Sequence, residues 1–418
     1  MRLIGEIDRT GTGDYCFRRL KTGTGVISDI GFKSTLVSIP ENPLLSQKMQ
    51  SFIITNESQW SSWRTSWNSL VHANPMLTMD WLGAWWRQYG SEHQLHIVAV
   101  AEGDRLLGFV PCYEHETRLG RQLRLLGTGT VCSDYLGAVV DSTRAEAAYE
   151  SLNNCMRESV SMHEIEALHF EGTLHSDKWI PHLTRFAEDA GYSIRIQPMV
   201  NSWSLQLPGS WSDLQQSQRG RSVYRKAKKC FGRIESGELA VRQLRHPSEL
   251  NEGVEHLIRL HQARRESVGD QGCFSDSRFE TFLRDSLENM LADGTACFSI
   301  CEKQGVVIGI ALLLLGCDTV FMYQSGVDPN YLAFEPGHAT VTGGLLFAIA
   351  NGYKNYDFLR GDEPYKTYWG AQEQRLERII LAPPTLKAQT IEVVYRNLSW
   401  LRTCYDDLSG SSVKKSQG

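Results

Sequence analysis

No apolar run in this chain approaches the roughly 20 residues that a helix needs to cross a bilayer. The longest, Val306 to Gly316, is strand-length and rich in Leu and Ile. Arg2 is not followed by the apolar segment of a secretory signal, so the expected location is the cytoplasm. The ten cysteines form no Cys-x-x-Cys pair and show no Cys/His spacing typical of zinc. They read as small buried hydrophobes of a reducing compartment, with Cys297 and Cys301 on one face of a strand. His256 and His261 stand five apart, off a common helix face, and no metal is expected. Segments 9–13 and 21–25 both end Thr-Gly-Thr-Gly but lack the Gly-Lys-Ser/Thr and the third glycine of a phosphate-binding loop. No Ser/His/Asp nucleophile set is visible.

A chain of 418 residues, 41% apolar and 22% charged, reads as a soluble globular protein too long for one core, and divides naturally into two domains with extensions. Residues 1–55, rich in Gly, Ser and Thr, read as a flexible or loosely docked extension. Asn56 is a good N-cap; Trp60, Trp63 and Trp67 then recur at helical spacing, and Trp81 and Trp85 do the same on a helix starting near Thr78. Such an aromatic stripe is core far more often than a ligand box. Leu95 to Ala101 and Arg105 to Tyr113 alternate about Glu102-Gly103-Asp104 as a hairpin. Strands at 123–126 and 135–140, a helix over 145–158, a strand at 165–170, a helix over 179–190 and a strand at 193–197 follow. After a turn at Leu207-Pro208-Gly209 and an amphipathic helix over 211–229, the plan repeats. Its helices are 250–266, 277–292 and 338–351, and its strands 296–302, 306–315, 319–326 and 355–359. A helix over 386–405 and a polar tail follow Pro383-Pro384. Strand meanders with crossover helices make α/β layers with mixed sheets.

The net charge of −5 says little about partners, but its distribution is uneven. Between Arg219 and Arg233 lie seven basic residues and no acid. Arg221, Arg225, Lys228 and Lys229 share one helix face, with no acid three or four residues away to offset their repulsion. The plain reading is a solvated face. The sharper one is an anionic partner at 219–233: phosphate groups of a ligand, a phosphorylated carrier, or an anionic membrane surface.

Polar chemistry concentrates in the stretch from Gly352 to Gly370. A short strand there puts Tyr356 and Phe358 on one face and Asp357 and Leu359 on the other, then breaks at Arg360-Gly361. Arg360, Asp362, Glu363, Tyr365 and Lys366 follow within seven residues, flanked by Tyr368 and Trp369. Loops after buried strands commonly carry binding groups. Upstream, Pro336-Gly337 closes a loop and opens a helix with His338, Ala339 and Thr340, whose unpaired N–H groups suit an anion.

The wording Asp357-Phe-Leu-Arg-Gly-Asp-Glu-Pro-Tyr-Lys-Thr-Tyr-Trp-Gly370 closely resembles the signature of the CelD-type acetyltransferases, a family of the GNAT superfamily linked with bacterial cellulose and exopolysaccharide synthesis. The resemblance runs in order over about Asn74 to Pro384, through Met79 to Trp86, Arg124 to Val140, Leu207 to Trp211 and Tyr323 to Tyr331. More distant relatives are the Fem-type aminoacyl transferases, built from two GNAT-like units. The resemblance implies an α/β fold of tandem GNAT-like domains, each a mixed, largely antiparallel sheet flanked by helices. A first domain over 56–200, degenerate, would line the acceptor side with Asp134 and Tyr135. A second over 201–384 would bind the donor and catalyse.

The donor implied is acetyl-CoA or a longer acyl-CoA, its pantetheine between parted strands at Met322 to Gly326, including Gln324 and Ser325, and Asn355 to Leu359. Its pyrophosphate would lie at Pro336 to Thr340, where Phe334, Gly337 and Ala339 occupy the family's phosphate motif. Phe334 departs from the expected Gln or Arg. Asp357, Asp362 and Glu363 are base candidates, Tyr365 or Lys366 would protonate the leaving thiolate, and Arg360 would pin an anionic part of the acceptor, with Tyr368 and Trp369 beside it. The activity implied is N- or O-acyl transfer to a sugar, polysaccharide precursor or related amine, directly within a ternary complex since no nucleophile set is visible. An aminoacyl-tRNA-dependent transferase and an inactive binding subunit of a polysaccharide-synthesis assembly are the alternatives. No DNA partner is expected, and tRNA only under the first alternative.

Overall fold

In the computed structural model, which describes residues 48–394 apart from Leu119 and 220–222, Pro111 divides the second arm of the expected hairpin. Arg105–Val110 pairs with Ile97–Glu102, whereas Cys112–Thr117 pairs with Gly120–Leu125 in a different sheet. Proline has no N–H to give a ladder, so the strand changes partners there.

The first half contains a four-stranded antiparallel sheet in the order Gln50–Ile54, Ile97–Glu102, Arg105–Val110, Val139–Val140. Beside it is a six-stranded sheet ordered Gln94–Leu95, Cys112–Thr117, Gly120–Leu125, Ile165–Leu174, Leu376–Ala382, Ser193–Pro198. The seven-stranded sheet of the second half runs Ala240–Leu244, Ala296–Lys303, Val306–Leu315, Thr319–Val327, Asn355–Asp357, Ser202–Gln206, Gln372–Gln374. Each half has one parallel pair among its described pairings. Gly120–Leu125 with Ile165–Leu174 spans the helix Ala145–Met162, and Thr319–Val327 with Asn355–Asp357 spans Pro336–Ala350. Each half thus combines one parallel pair across a helix with otherwise antiparallel strands, a mixed α/β architecture.

One strand crosses between the halves. Leu376–Ala382, expected in the second domain, inserts between Ile165–Leu174 and Ser193–Pro198 of the first. Ser202–Gln206, not expected as a strand, lies between Asn355–Asp357 and Gln372–Gln374 of the second. Leu376–Ala382 thus completes the sheet of the first half with backbone groups from far beyond residue 200, whereas Ser202–Gln206 stays with the half that follows it. The core is likewise continuous: the helix Met79–Tyr89 packs on Ser277–Ala292, with the Trp81 ring 4.8 Å edge-on to Phe282 and to Tyr323. Trp60, Trp67, Trp81 and Trp85 are buried, as their spacing predicts.

Two further expectations change. Gln50–Ile54, assigned to the extension, is an edge strand whose Ile54 is buried, while residues 1–47 lie outside the described residues. In place of the single helix over 211–229 the described residues show two, Trp211–Ser217, followed by turn residues 218–219, and Val223–Glu235. Arg221 lies outside the described residues. Residues 386–394 are helical, and the rest of the expected C-terminal helix and the tail lie beyond the described residues.

Ile379 is fully buried where Phe170 and Ile196 flank it on the two neighbouring strands. Ile379→Ala should destabilise the protein by about 2–4 kcal/mol. Hydrogen exchange should rise along Ile165–Leu174 and Ser193–Pro198, not along the strands adjacent in sequence. Exchange confined to 355–374 would contradict the crossing of Leu376–Ala382 into the first sheet.

Candidate functional site

Thr319–Val327 and Asn355–Asp357 pair only through Thr319/Asn355, Val320/Tyr356 and Phe321/Asp357, and then part. On its other edge the first strand slips register against Val306–Leu315, leaving Tyr323 as the extra residue of a bulge. Leu359 ends the second strand with a positive φ of 57°, its N–H held 2.8 Å from Asp357 Oδ1. The sides are as the alternation predicts: Tyr356 and Phe358 enter one core cluster, and Asp357 faces the other way.

Asp357 is a buried carboxyl between the halves. Tyr135 donates to its Oδ2 at 2.7 Å and lies 2.6 Å from Ser202 Oγ. Burial is the first cause that pushes its pKa up, from 3.8 to about 6, against the hydrogen bonds of Tyr135 and Leu359. Beside it, Arg360 gives its Nε–H to Asp134 Oδ1, its backbone N–H to Asp134 Oδ2 at 2.7 Å, and an Nη2–H to the Ser133 carbonyl at 2.7 Å. Lys366, only 2% exposed, has its ammonium 3.0 Å from Leu359 O, 2.8 Å from Arg360 O and 2.9 Å from Glu363 Oε2. Three donors meet three acceptors, which leaves no proton for a thiolate.

The stretch 357–366 is therefore a clasp between the halves, and several expected roles change with it. Arg360 is spent on Asp134 rather than on an acceptor anion, Lys366 is a strut of the loop, and Trp369 is core at 1% exposure. Asp134 and Tyr135 do meet the second half, against Arg360 and Asp357. Tyr365 stacks edge-on to Phe358 at 5.9 Å, and burial, then Glu363, raises its pKa. Asp362, Glu363 and Tyr368 are exposed. Among the base candidates, Asp357 is held by Tyr135, Ser202 and the Leu359 N–H and shifted toward neutrality.

At the other expected subsite, Gln324 and Ser325 are half-buried and Gly326 is buried beneath the helix Leu250–Glu266. Pro336–Ala350 begins at Glu335, which has a φ of 55° and makes no side-chain cap. Pro336, Ala339 and Thr340 face the core, while Gly337 is exposed and His338 half-buried. Burial lowers the pKa of His338, and Lys226 from the basic helix adds to it. That helix packs on Pro336–Ala350 through Ala227 and Cys230, leaving Arg225, Lys226, Lys228 and Lys229 exposed. Arg233 and Lys303 lie over the Phe334 ring at 5.2 and 4.1 Å, so cations surround the position where the motif expects Gln or Arg. An uncapped helix start, an open Gly337 and nearby cations fit a phosphate-bearing group.

The sequence reading missed the wall of a cavity of about 340 Å³ in the first half, beyond the ends of its parallel pair. Trp85, Tyr89, His93, Arg124, His169 and Glu171 line it, and Arg278 reaches in from the second half. Tyr89 Oη, His93 Nδ1 and His169 Nε2 are buried without a hydrogen-bond partner. Burial, then Arg124, lowers the His169 pKa to about 4. His169 and Glu171 alternate along one strand, but nothing in their spacing shows Arg278 opposite them. Elsewhere in that half, His96 Nδ1 and His163 Nδ1 lie 2.8 and 2.9 Å from Glu114 Oε1. The trio is a metal-capable group that spacing did not reveal, although its contacts are those of a hydrogen-bonded network.

Residues 217–367 match the family described as an acetyltransferase (GNAT) domain, which spans the parted strands and the clasp. No curated protein matches the chain. Among solved structures, it resembles the crystal structure of FemX at 12% identity, over 78% of this chain and 96% of that one, with a TM-score of 0.57. It also resembles a conserved protein of unknown function from Bacteroides thetaiotaomicron VPI-5482 at 10% identity, over 79% and 100%, with a TM-score of 0.53. At these identities the likeness is one of fold.

Asp357 sets a pH dependence of stability. In the unfolded chain it ionises near pH 4, whereas the fold keeps its proton to about 6, so stability falls between those values and levels off above. Asp357→Asn carries no such charge. From pH 4 to 7 its stability relative to the parent should improve by about 3 kcal/mol, at about 1.4 per unit. A constant difference in chemical denaturation across that range would contradict the raised pKa.

Proposed function

We propose that this chain is an acyltransferase that passes an acyl group from acyl-CoA to a hydroxyl or amine of a sugar or related polar acceptor. The carrying observation is the parted strand pair 319–327/355–357 followed by the exposed helix start at Gly337, inside the segment that matches the GNAT acetyltransferase family. Gly337 N–H and its first-turn neighbours, with Lys226 beside them, would hold the donor phosphates, and the unpaired edge of 322–326 would lie along the pantetheine. The thioester supplies an activated carbonyl. This chain's residues have to orient it and take the acceptor's proton, and Asp357, shifted toward neutrality between the halves, is the base that the geometry favours.

The polar cavity at Arg124, His169, Glu171 and Arg278 supports an acceptor rich in hydroxyl or charged groups, such as a saccharide. The likeness of 357–370 to CelD-type acetyltransferases points to exopolysaccharide precursors. The exposed cations of Val223–Glu235 would attract the donor phosphates, a phosphorylated carrier, or an anionic membrane surface near a polysaccharide synthase.

A Cβ at Gly337 would come no nearer than 3.7 Å, to Val327 Cγ1, so Gly337→Leu should fold normally while its side chain fills the approach to the helix start. Calorimetry with acetyl-CoA and longer acyl-CoAs should show binding to the parent chain, weakened about 10-fold or more in this variant. Arg225→Glu with Lys229→Glu should weaken it further at low salt than at high salt. No heat with any acyl-CoA, together with binding of charged tRNA, would replace this reading by the aminoacyl-tRNA one.

A further inference from the structure

The helix Leu250–Glu266 crosses the parted end of Thr319–Val327 at very close range: a Cβ on Gly326 would sit 2.4 Å from the His261 backbone nitrogen. His261 is thereby pressed against that strand. The loop after the helix then folds back on it. Arg265 pairs with Asp270 at 3.1 Å, Asp270 Oδ1 accepts the Gly272 N–H at 3.1 Å, and Gly272 turns with a φ of 70°. A side chain at 272 would strike Gln262 Oε1 at 2.4 Å, so the turn admits little but glycine. The short turn Cys273–Ser275 follows, and half-buried Cys273 places its sulfur 3.7 Å from His261 Nε2.

The rest of the arrangement is directional. Gln262 Nε2 donates to the Gln271 carbonyl at 2.9 Å, which fixes its amide with Oε1 toward His261 Nδ1 at 3.1 Å. Nδ1 therefore carries the ring hydrogen, and the lone pair of Nε2 faces the thiol. On the other side of the sulfur, Gln324 Nε2, from the parted strand, lies 3.6 Å away. Arg278, five residues on, lies over the Tyr89 ring at 4.7 Å, and both line the polar cavity. Tyr89 is within electrostatic reach of Cys273. A thiol, an imidazole and an orienting amide thus stand between the strand edge assigned to the donor and the cavity assigned to the acceptor.

We propose that Cys273 is a nucleophile that carries the acyl group between the two sites, with His261 as its base and Gln262 as a positioning residue. This rests on the acyl-transfer reading above and replaces direct transfer with two half-reactions, in which His261 rather than Asp357 takes the acceptor's proton. In the first, Cys273 Sγ bonds to the donor's thioester carbonyl carbon as its proton passes to His261 Nε2. The donor C–S bond breaks, and the departing thiolate takes that proton. In the second, the acceptor hydroxyl or amine bonds to the carbonyl carbon of the Cys273 thioester, giving its proton to His261, and the Cys273 sulfur leaves and is reprotonated. Burial keeps the resting pair neutral, raising Cys273 to about 12 and lowering His261, so the proton moves during attack rather than before it.

The test is direct acylation of the full chain without acceptor, read by peptide mass spectrometry after acid quenching. Acetyl-CoA should leave one hydroxylamine-labile acetyl group on Cys273, and p-nitrophenyl acetate should acetylate the same residue with a burst of nitrophenolate. His261→Gln should slow that burst by about 100-fold or more, while Cys273→Ser should show no thioester. Acetylation by the nitrophenyl ester but not by acetyl-CoA would uphold the nucleophile and sink the acyl-CoA reading instead. A folded parent chain whose Cys273 stays unmodified by both reagents would overturn the proposal. So would Cys273→Ala with undiminished transferase turnover.

Discussion

The carboxylate of Asp134 lies where no water reaches it, and its charge is answered from the other half of the molecule. Burial pushes its pKa up, and the Arg360 guanidinium and backbone N–H oppose that. Arg360 is half-buried, and Asp134 outweighs that desolvation and raises its pKa. An unpaired charge at such a position costs several kcal/mol, so neither half can expose this surface and keep its chain unchanged. The dependence extends outward through Lys366, which holds the carbonyls of Leu359 and Arg360. Cys132, Tyr135 and Leu359 all adopt left-handed φ around the clasp, a conformation that costs about 1 kcal/mol or more for a residue with a side chain. Such strain persists where surrounding contacts over-determine it, and the paired charges supply those contacts.

What was legible in the sequence was local. Helical spacing of Trp60, Trp67, Trp81 and Trp85 gave a true core face, and alternation about Asp357 gave the correct sides of the strand. The dense polar loop after that strand was visible in the sequence, but residue type does not say which way a cation points. Arg360 meets an acid 226 positions away, a distance at which no periodicity operates. The crossing strand was hidden for a related reason. Leu376–Ala382 has the pattern of any half-buried strand, and only the gap between Ile165–Leu174 and Ser193–Pro198 decides where it goes. Position 334 shows the converse: Phe where a cation was expected reads as a defect until Arg233 and Lys303 are seen over the ring.

The clasp also governs where chemistry has room. Tyr135 spans the base of the parted strands, its ring 6.2 Å from Phe321 and its hydroxyl on Asp357, while the Tyr323 hydroxyl donates to the Val131 carbonyl at 2.6 Å. The first half therefore supplies a wall of the opening in the second, and a degenerate first unit would still be needed to shape the site.

That wall explains why the halves are joined by ionised and hydrogen-bonded groups beside a large apolar contact. Trp81, Phe282 and Tyr323 already pack the halves together, and apolar packing tolerates small slips. Hydrogen bonds at 2.6 to 2.7 Å from Tyr135 and Arg360 do not, because a shift of an ångström leaves buried groups unpaired. The polar cavity draws residues from both halves, and a register error between them would separate Arg278 from Tyr89. The apolar interface supplies adhesion, and the Asp134–Arg360 pair supplies the register in which the parted strands and the cavity stand.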